Sequence, residues 1–169
     1  MRQSTTRRIQ FGADTEHAVD VRLRPARVCF ETDPHGPLAA TRRGYLEQVV
    51  DQLKANGRAP RVCLYALSIR GQRPNASLEA AATFAGHQNW QVGSGLIFTD
   101  HHGIEGPSSR PGWRAVREQI RAGYADGVVV VTATVVSTHV EEYQQEIDWF
   151  GHHWGFIGLV IPEIRKDQR

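Results

Sequence analysis

The sequence predicts an α/β fold: three layers, with helices on both faces of a mostly parallel central sheet. Two observations carry that expectation. From Arg61 onward, short apolar runs alternate with stretches of helical period, and strands separated by single helices pair in parallel. Residues 128–133 read Val-Val-Val-Val-Thr-Ala, apolar without alternation, the pattern of a strand covered on both faces. With 40% hydrophobic and 22% charged residues, the chain has the material for a packed core.

The elements follow in order. Residues 1–15 are polar and aperiodic and are expected to be loose. Residues 19–23 and 27–31 are short strand candidates, and the Asp33-Pro34-His35-Gly36-Pro37 cluster is a turn. Residues 38–55 form an amphipathic helix, with Leu46, Val49, Val50 and Leu53 on one face and Asn56-Gly57 as its stop. Residues 62–67 are a buried strand. Residues 75–87 are a short helix that Asn75 or Ser77 can cap. Residues 90–99 are a strand interrupted by Gly93 and Gly95. Residues 111–122 are a helix with proline in its first turn, where a missing N–H costs nothing. After the strand at 128–133, Thr138-His139-Val140-Glu141 reads as a capping box, followed by a helix with Val140, Tyr143, Ile147 and Phe150 on one face. Residues 156–161 are the last strand. Residues 1–60 are thus an N-terminal strand–helix extension, joined to the same sheet or folded apart, and 61–169 the main α/β domain.

Composition narrows the function classes. No apolar run approaches the ~18 residues of a membrane span, and the N-terminus lacks the apolar core of a secretory signal, so a soluble cytoplasmic protein is expected. Cys29 and Cys63 both fall in strand phrases and read as buried free thiols. The net charge of +2 divides into +3 over residues 1–60 and −1 over 61–169, a weak electrostatic footprint for DNA on the main domain. Glu141, Glu142, Glu146 and Asp148 are expected on the outer side of the last helix, which also argues against DNA there. His101, His102 and Glu105 beside Asp100, and the pair His152–His153, are weighed as metal ligands. Adjacent histidines point apart, so no metal site is assigned. Gly93-Ser94-Gly95 lacks the following helix of a phosphate loop, and no cofactor is implied. Trp90, Trp113, Trp149 and Trp154 read as packing rather than base-stacking residues.

Several phrases, in order, carry a resemblance. Arg61-Val62-Cys63-Leu64-Tyr65 precedes a strand end. Ser77-Leu78-Glu79 opens a helix. Trp90-Gln91-Val92 and Phe98-Thr99-Asp100 lead to Gly103-Ile104-Glu105-Gly106 and then Arg110-Pro111-Gly112-Trp113. Ala122-Gly123-Tyr124-Ala125-Asp126 approaches the valine strand, and Gly155-Phe156 the last one. Over roughly residues 60–162 this resembles the catalytic domain of the serine recombinases, the resolvase/invertase family. The resemblance implies a resolvase-like αβα domain in which a serine hydroxyl attacks a DNA phosphodiester while several arginines surround the phosphate. A weak nucleophile and a transition state concentrating negative charge require those cations, and the planar guanidinium binds phosphate in a bidentate way.

Carried over, the resemblance implies Ser68 as nucleophile, one position early relative to Tyr65, and Arg110 as the retained cation. The alternative for Ser68 is a hydroxyl at a strand end, and for Arg110 an exposed arginine at a helix start. The family's other arginines fall on Leu67, Val135 and Thr138, and the turn's aspartate on Thr134. Losing one preorganised contact costs ~100–1000-fold in rate. The expectation is therefore a catalytically degenerate recombinase-like protein, binding DNA or protein without strand exchange. The alternatives are a divergent recombinase or phosphodiester-cleaving enzyme using Ser68 with Arg110, and a homo-oligomeric interaction module. Seven residues follow Pro162, so neither the family's dimerising helix nor its DNA-binding domain is expected. DNA, a second copy or another protein are the expected partners, with no membrane and no small-molecule cofactor.

Overall fold

A computed structural model describes residues 35–104 and 106–163. The polar stretch 1–15, the strands expected at 19–23 and 27–31, Cys29 and Glu105 lie outside the described residues. The elements run α1 (His35–Ala55), β1 (Arg61–Ser68), α2 (Asn75–His87), β2 (Gln91–His101), a 3₁₀ turn (Pro107–Ser109), α3 (Pro111–Arg121), β3 (Gly127–Val130), α4 (Ala133–Val136), α5 (Val140–His152) and β4 (Phe156–Leu159).

The four strands pair in parallel in the order β2-β1-β3-β4. The chain leaves β1 toward β2 and then returns past β1 to β3, so the order reverses beside β1, and the crevice outside the strand C-termini opens there. Strand alternation builds a core on each face. Cys63 and Tyr65 face Trp113 and Val116 of α3 and Tyr143, Ile147 and Phe150 of α5. Val62 and Leu64 face Ala81 and Ala85 of α2 and Val49, Val50 and Leu53 of α1. The result is the three-layer αβα arrangement, its sheet wholly parallel. Helix α1 packs against β4 and α5. Among the described residues, no helix is long and apolar enough to cross a membrane.

Local details differ from the sequence reading where tertiary contacts intervene. Strand β3 ends at Val130, and Ala133–Val136 forms one helical turn, α4, rather than strand. The expected capping box does not form. Helix α5 starts at Val140 with His139 at its N-cap and no side-chain cap; just before it, the Ser137 hydroxyl accepts the His139 N–H at 3.0 Å and donates to Glu142. Neither Asn75 nor Ser77 caps α2, whose N-cap is Pro74. Glu146 lies buried beneath α3 rather than on the outer side of α5. Trp113 and Trp90 are core, as expected, whereas Trp154 is 60% exposed. Cys63 is a buried free thiol, and burial pushes its pKa up to about 12, which leaves it unreactive as a nucleophile.

The Pro111-Gly112 pair shows why its residue types are needed. The first turn of α3 runs so close to β2 that a Cβ on Gly112 would stand 2.8 Å from the Thr99 carbonyl oxygen and from Asp100 Oδ2. Backbone cannot yield as a flexible side chain can, so Gly112→Ala is expected to destabilise the fold by about 1–3 kcal/mol, read from a urea melt.

Candidate active site at the strand C-termini

The C-terminal ends of β1, β2 and β3 frame a crevice of about 430 Å³, lined by Leu67, His102, Ile104, Arg110, Thr134, Thr138, His139 and Glu142 among others. Three elements fix its walls: the end of β1, the loop from β2 to α3, and the turn from β3 through α4 into α5.

Arg110 forms part of the wall. It is not an exposed arginine at a helix start: it is 7% exposed and its guanidinium faces backbone. Nη1 donates to the carbonyls of Val135 at 2.7 Å and Val136 at 2.9 Å, and Nε donates to Ile104 at 3.4 Å. The Val135 and Val136 carbonyls belong to the turn between β3 and α5, and Ile104 to the loop that carries Arg110 itself. The last carbonyls of a helical turn lack intrahelical donors, and Arg110 supplies them for α4 from a distant loop.

Ser68 stands elsewhere. Successive strand side chains point to opposite faces; Leu67 lines the crevice and Ser68 does not. The Ser68 hydroxyl, 9% exposed, lies 3.2 Å from the Asp100 carbonyl oxygen and 3.0 Å from His101 Nδ1 on the neighbouring strand. Ser68 and Arg110 share no hydrogen-bond partner among the described residues. Arg70 and Gly71, which follow Ser68, both take left-handed backbone and turn the chain sharply, with Gln72 N–H returning to the Ile69 carbonyl.

Two buried acidic residues brace α3 behind the crevice, a role the sequence pattern gave to neither. The buried Asp100 carboxylate accepts from Tyr65 Oη at 2.8 Å, Gly112 N at 2.8 Å and Trp113 N at 2.9 Å. It satisfies the N-terminus of α3 and favours it electrostatically. The Tyr65 hydroxyl has its pKa raised by burial and by its bond to Asp100. Glu146 accepts the Trp113 indole N–H at 2.9 Å and faces Arg117 at 3.5 Å. Burial raises its pKa, and the Trp113 and Arg117 contacts offset part of that rise. The sequence signal for Asp100 was its interval to Pro111-Gly112, a carboxylate set to meet a helix start. Among the described residues no group of three or more His, Cys, Asp or Glu gathers to hold a metal ion.

No protein-family model matches this sequence, and no curated protein does. Solved structures do. The N-terminal catalytic domain of TP901-1 integrase superimposes with a TM-score of 0.50 at 22% identity, covering 59% of this chain and 76% of that one. The fold is that of a serine recombinase catalytic domain. Two weaker likenesses are the C-terminal catalytic domain of ISC1926 TnpA, an IS607-like serine recombinase (TM-score 0.49, 17% identity, 60% of this chain and 71% of that one), and the first open reading frame of transposon ISC1904 from Sulfolobus solfataricus P2 (TM-score 0.44, 14% identity, 65% and 73%). At these identities the likeness is one of fold.

Proposed function

We propose that this chain is a recombinase-fold protein that acts by binding, to DNA or to protein, and does not cut and rejoin DNA strands. The observation that carries this reading is the engagement of Arg110 by the Val135 and Val136 carbonyls. Phosphoryl-transfer catalysis on this scaffold needs guanidinium forks aimed at a phosphate. Here the one matching cation holds backbone, and the positions of its companions are Leu67, Val135 and Thr138. The crevice wall instead presents the Glu142 carboxylate, whose field opposes an incoming phosphate.

A second reading has one observation behind it. Ser68 Oγ and His101 Nδ1 are at nucleophile–base distance, as a divergent Ser68 enzyme would require. One assay separates the two. The purified chain is incubated with supercoiled plasmid and with nicked suicide duplexes, then denatured and examined for protein-linked DNA. No covalent species is expected, with Ser68→Ala indistinguishable from the parent chain. A covalent adduct abolished by Ser68→Ala would replace the binding reading with the enzymatic one.

A further inference from the structure

The opposite pole of the sheet, where the helices end and the strands begin, carries a feature of its own. Among the described residues, the four long helices α1, α2, α3 and α5 finish with the same pair of hydrogen bonds, the Schellman arrangement. Gly57, Asn89, Gly123 and Trp154 occupy its left-handed position, with φ of 69°, 59°, 75° and 55°. Their N–H groups bond Lys54, Gly86, Ile120 and Gly151, and the following N–H groups bond Leu53, Ala85, Gln119 and Phe150. Glycine or asparagine is the ordinary occupant, since a Cβ is disfavoured there. A tryptophan at positive φ is an outlier for a bulky side chain, and such outliers point to use at a surface. Its indole is 60% exposed and makes no aromatic or cation–π contact among the described residues.

Trp154 has company. Tyr124, 63% exposed, directly follows the left-handed Gly123. The two loops meet: Phe156 N–H bonds the Asp126 carbonyl, and Gly155 lies against Ile120 and Asp126. Cations ring them. Arg61 Nη2 is anchored on the Gly123 carbonyl at 3.1 Å, Arg58 reaches Asp126 at 3.3 Å, Arg121 pairs with Glu118 at 2.9 Å, and Lys54 shares a hollow with Arg58. Four cations stand against two carboxylates, and the Arg58 and Arg121 side chains remain half exposed.

We propose that this pole binds single-stranded nucleic acid, with Trp154 and Tyr124 as base-stacking platforms and Lys54, Arg58, Arg61 and Arg121 along the phosphates. Exposed rings among guanidinium groups are the arrangement that single-strand recognition uses. A protein partner would also bury such rings; flat faces beside a row of guanidinium groups match the alternating base and phosphate of a strand, and the polyglutamate competition below separates the two. The surface lies apart from the crevice and stands whether or not the crevice proves catalytic.

The test is fluorescence anisotropy of the full chain with a fluorescein-labelled oligothymidylate, at low and at physiological salt, with tryptophan emission followed in parallel. Saturable binding that quenches tryptophan and weakens with salt is expected. Trp154→Gly is informative because it should fold better and bind worse: Tm rises by ~2–4 °C as the left-handed position is relieved, while affinity falls roughly tenfold. Tyr124→Ala should weaken binding similarly, and Arg121→Gln should reduce the salt slope by about 0.7. The proposal is overturned if the oligonucleotide does not bind, if Trp154→Gly leaves affinity unchanged, or if polyglutamate competes as well as the oligonucleotide does.

Discussion

Replacing Arg42 or Glu163 by alanine is expected to cost about 3–5 kcal/mol, the largest single-residue effect in the domain outside its apolar core. The pair is buried and bidentate: Arg42 Nε and Nη2 donate to the two Glu163 carboxylate oxygens at 2.7 and 2.8 Å, and Tyr143 Oη donates to Oε1 at 2.7 Å. Either truncation leaves the other charge buried and uncompensated. The same network sets an acid limit. Burial alone would raise the Glu163 pKa, but the hydrogen bonds from Arg42 and Tyr143 outweigh it and hold the carboxyl at about 2, below its usual 4.5. A depressed carboxylate contributes stability that is full above the unfolded pKa and drains away as pH falls through the folded one. Urea midpoints should therefore fall between about pH 4.5 and 2, and Glu163→Gln should flatten that window while starting from a lower plateau. Unchanged pH dependence in Glu163→Gln would refute this assignment.

Asp100→Ala is expected to be nearly as damaging, at about 3 kcal/mol, because it strands three donors: the Tyr65 hydroxyl and the N–H groups of Gly112 and Trp113. Asp100→Asn should recover part of the loss, since the side-chain oxygen still accepts while the amide cannot accept all three bonds. Thermal melts of the two variants check the order. A destabilisation of Asp100→Ala below 1 kcal/mol (~) would mean that the α3 start is held by other contacts.

The sequence showed the layers well and the site poorly, for reasons that particular residues make plain. Apolar period is a local signal, so α2 and α3 and the buried runs of β1 and β3 were legible. Residues 131–136, Val-Thr-Ala-Thr-Val-Val, carry β-type residues, yet 133–136 turn as a helix. Arg110, some 25 positions earlier, binds the carbonyls that this turn exposes, and tertiary contacts override such propensities. Thr138 and Glu141 matched a capping pattern, but α5 begins one residue later than that pattern requires, with His139 at its N-cap. Glu146 sits between Tyr143 and Ile147 on the buried side of α5. Its place there became intelligible only once Trp113, an indole N–H without solvent, stood opposite. Ser68 and Arg110 could be matched to a pattern, but strand alternation gives the crevice position at the end of β1 to Leu67, one residue before Ser68.

Arg42 also governs how the sheet meets the outside. Its Nη1 donates to the carbonyl of Ile157 on β4, which is an edge strand among the described residues. Bare edge carbonyls are templates for a foreign strand. At β4 an arriving strand would have to displace a guanidinium already fixed by a buried carboxylate. At the other margin, β2 departs from its pairing with β1 between Val62 and Leu64, so that its backbone bows out before resuming at Ile97. One margin is plugged by charge and the other is broken by shape, two different defences against the same hazard of self-templated aggregation.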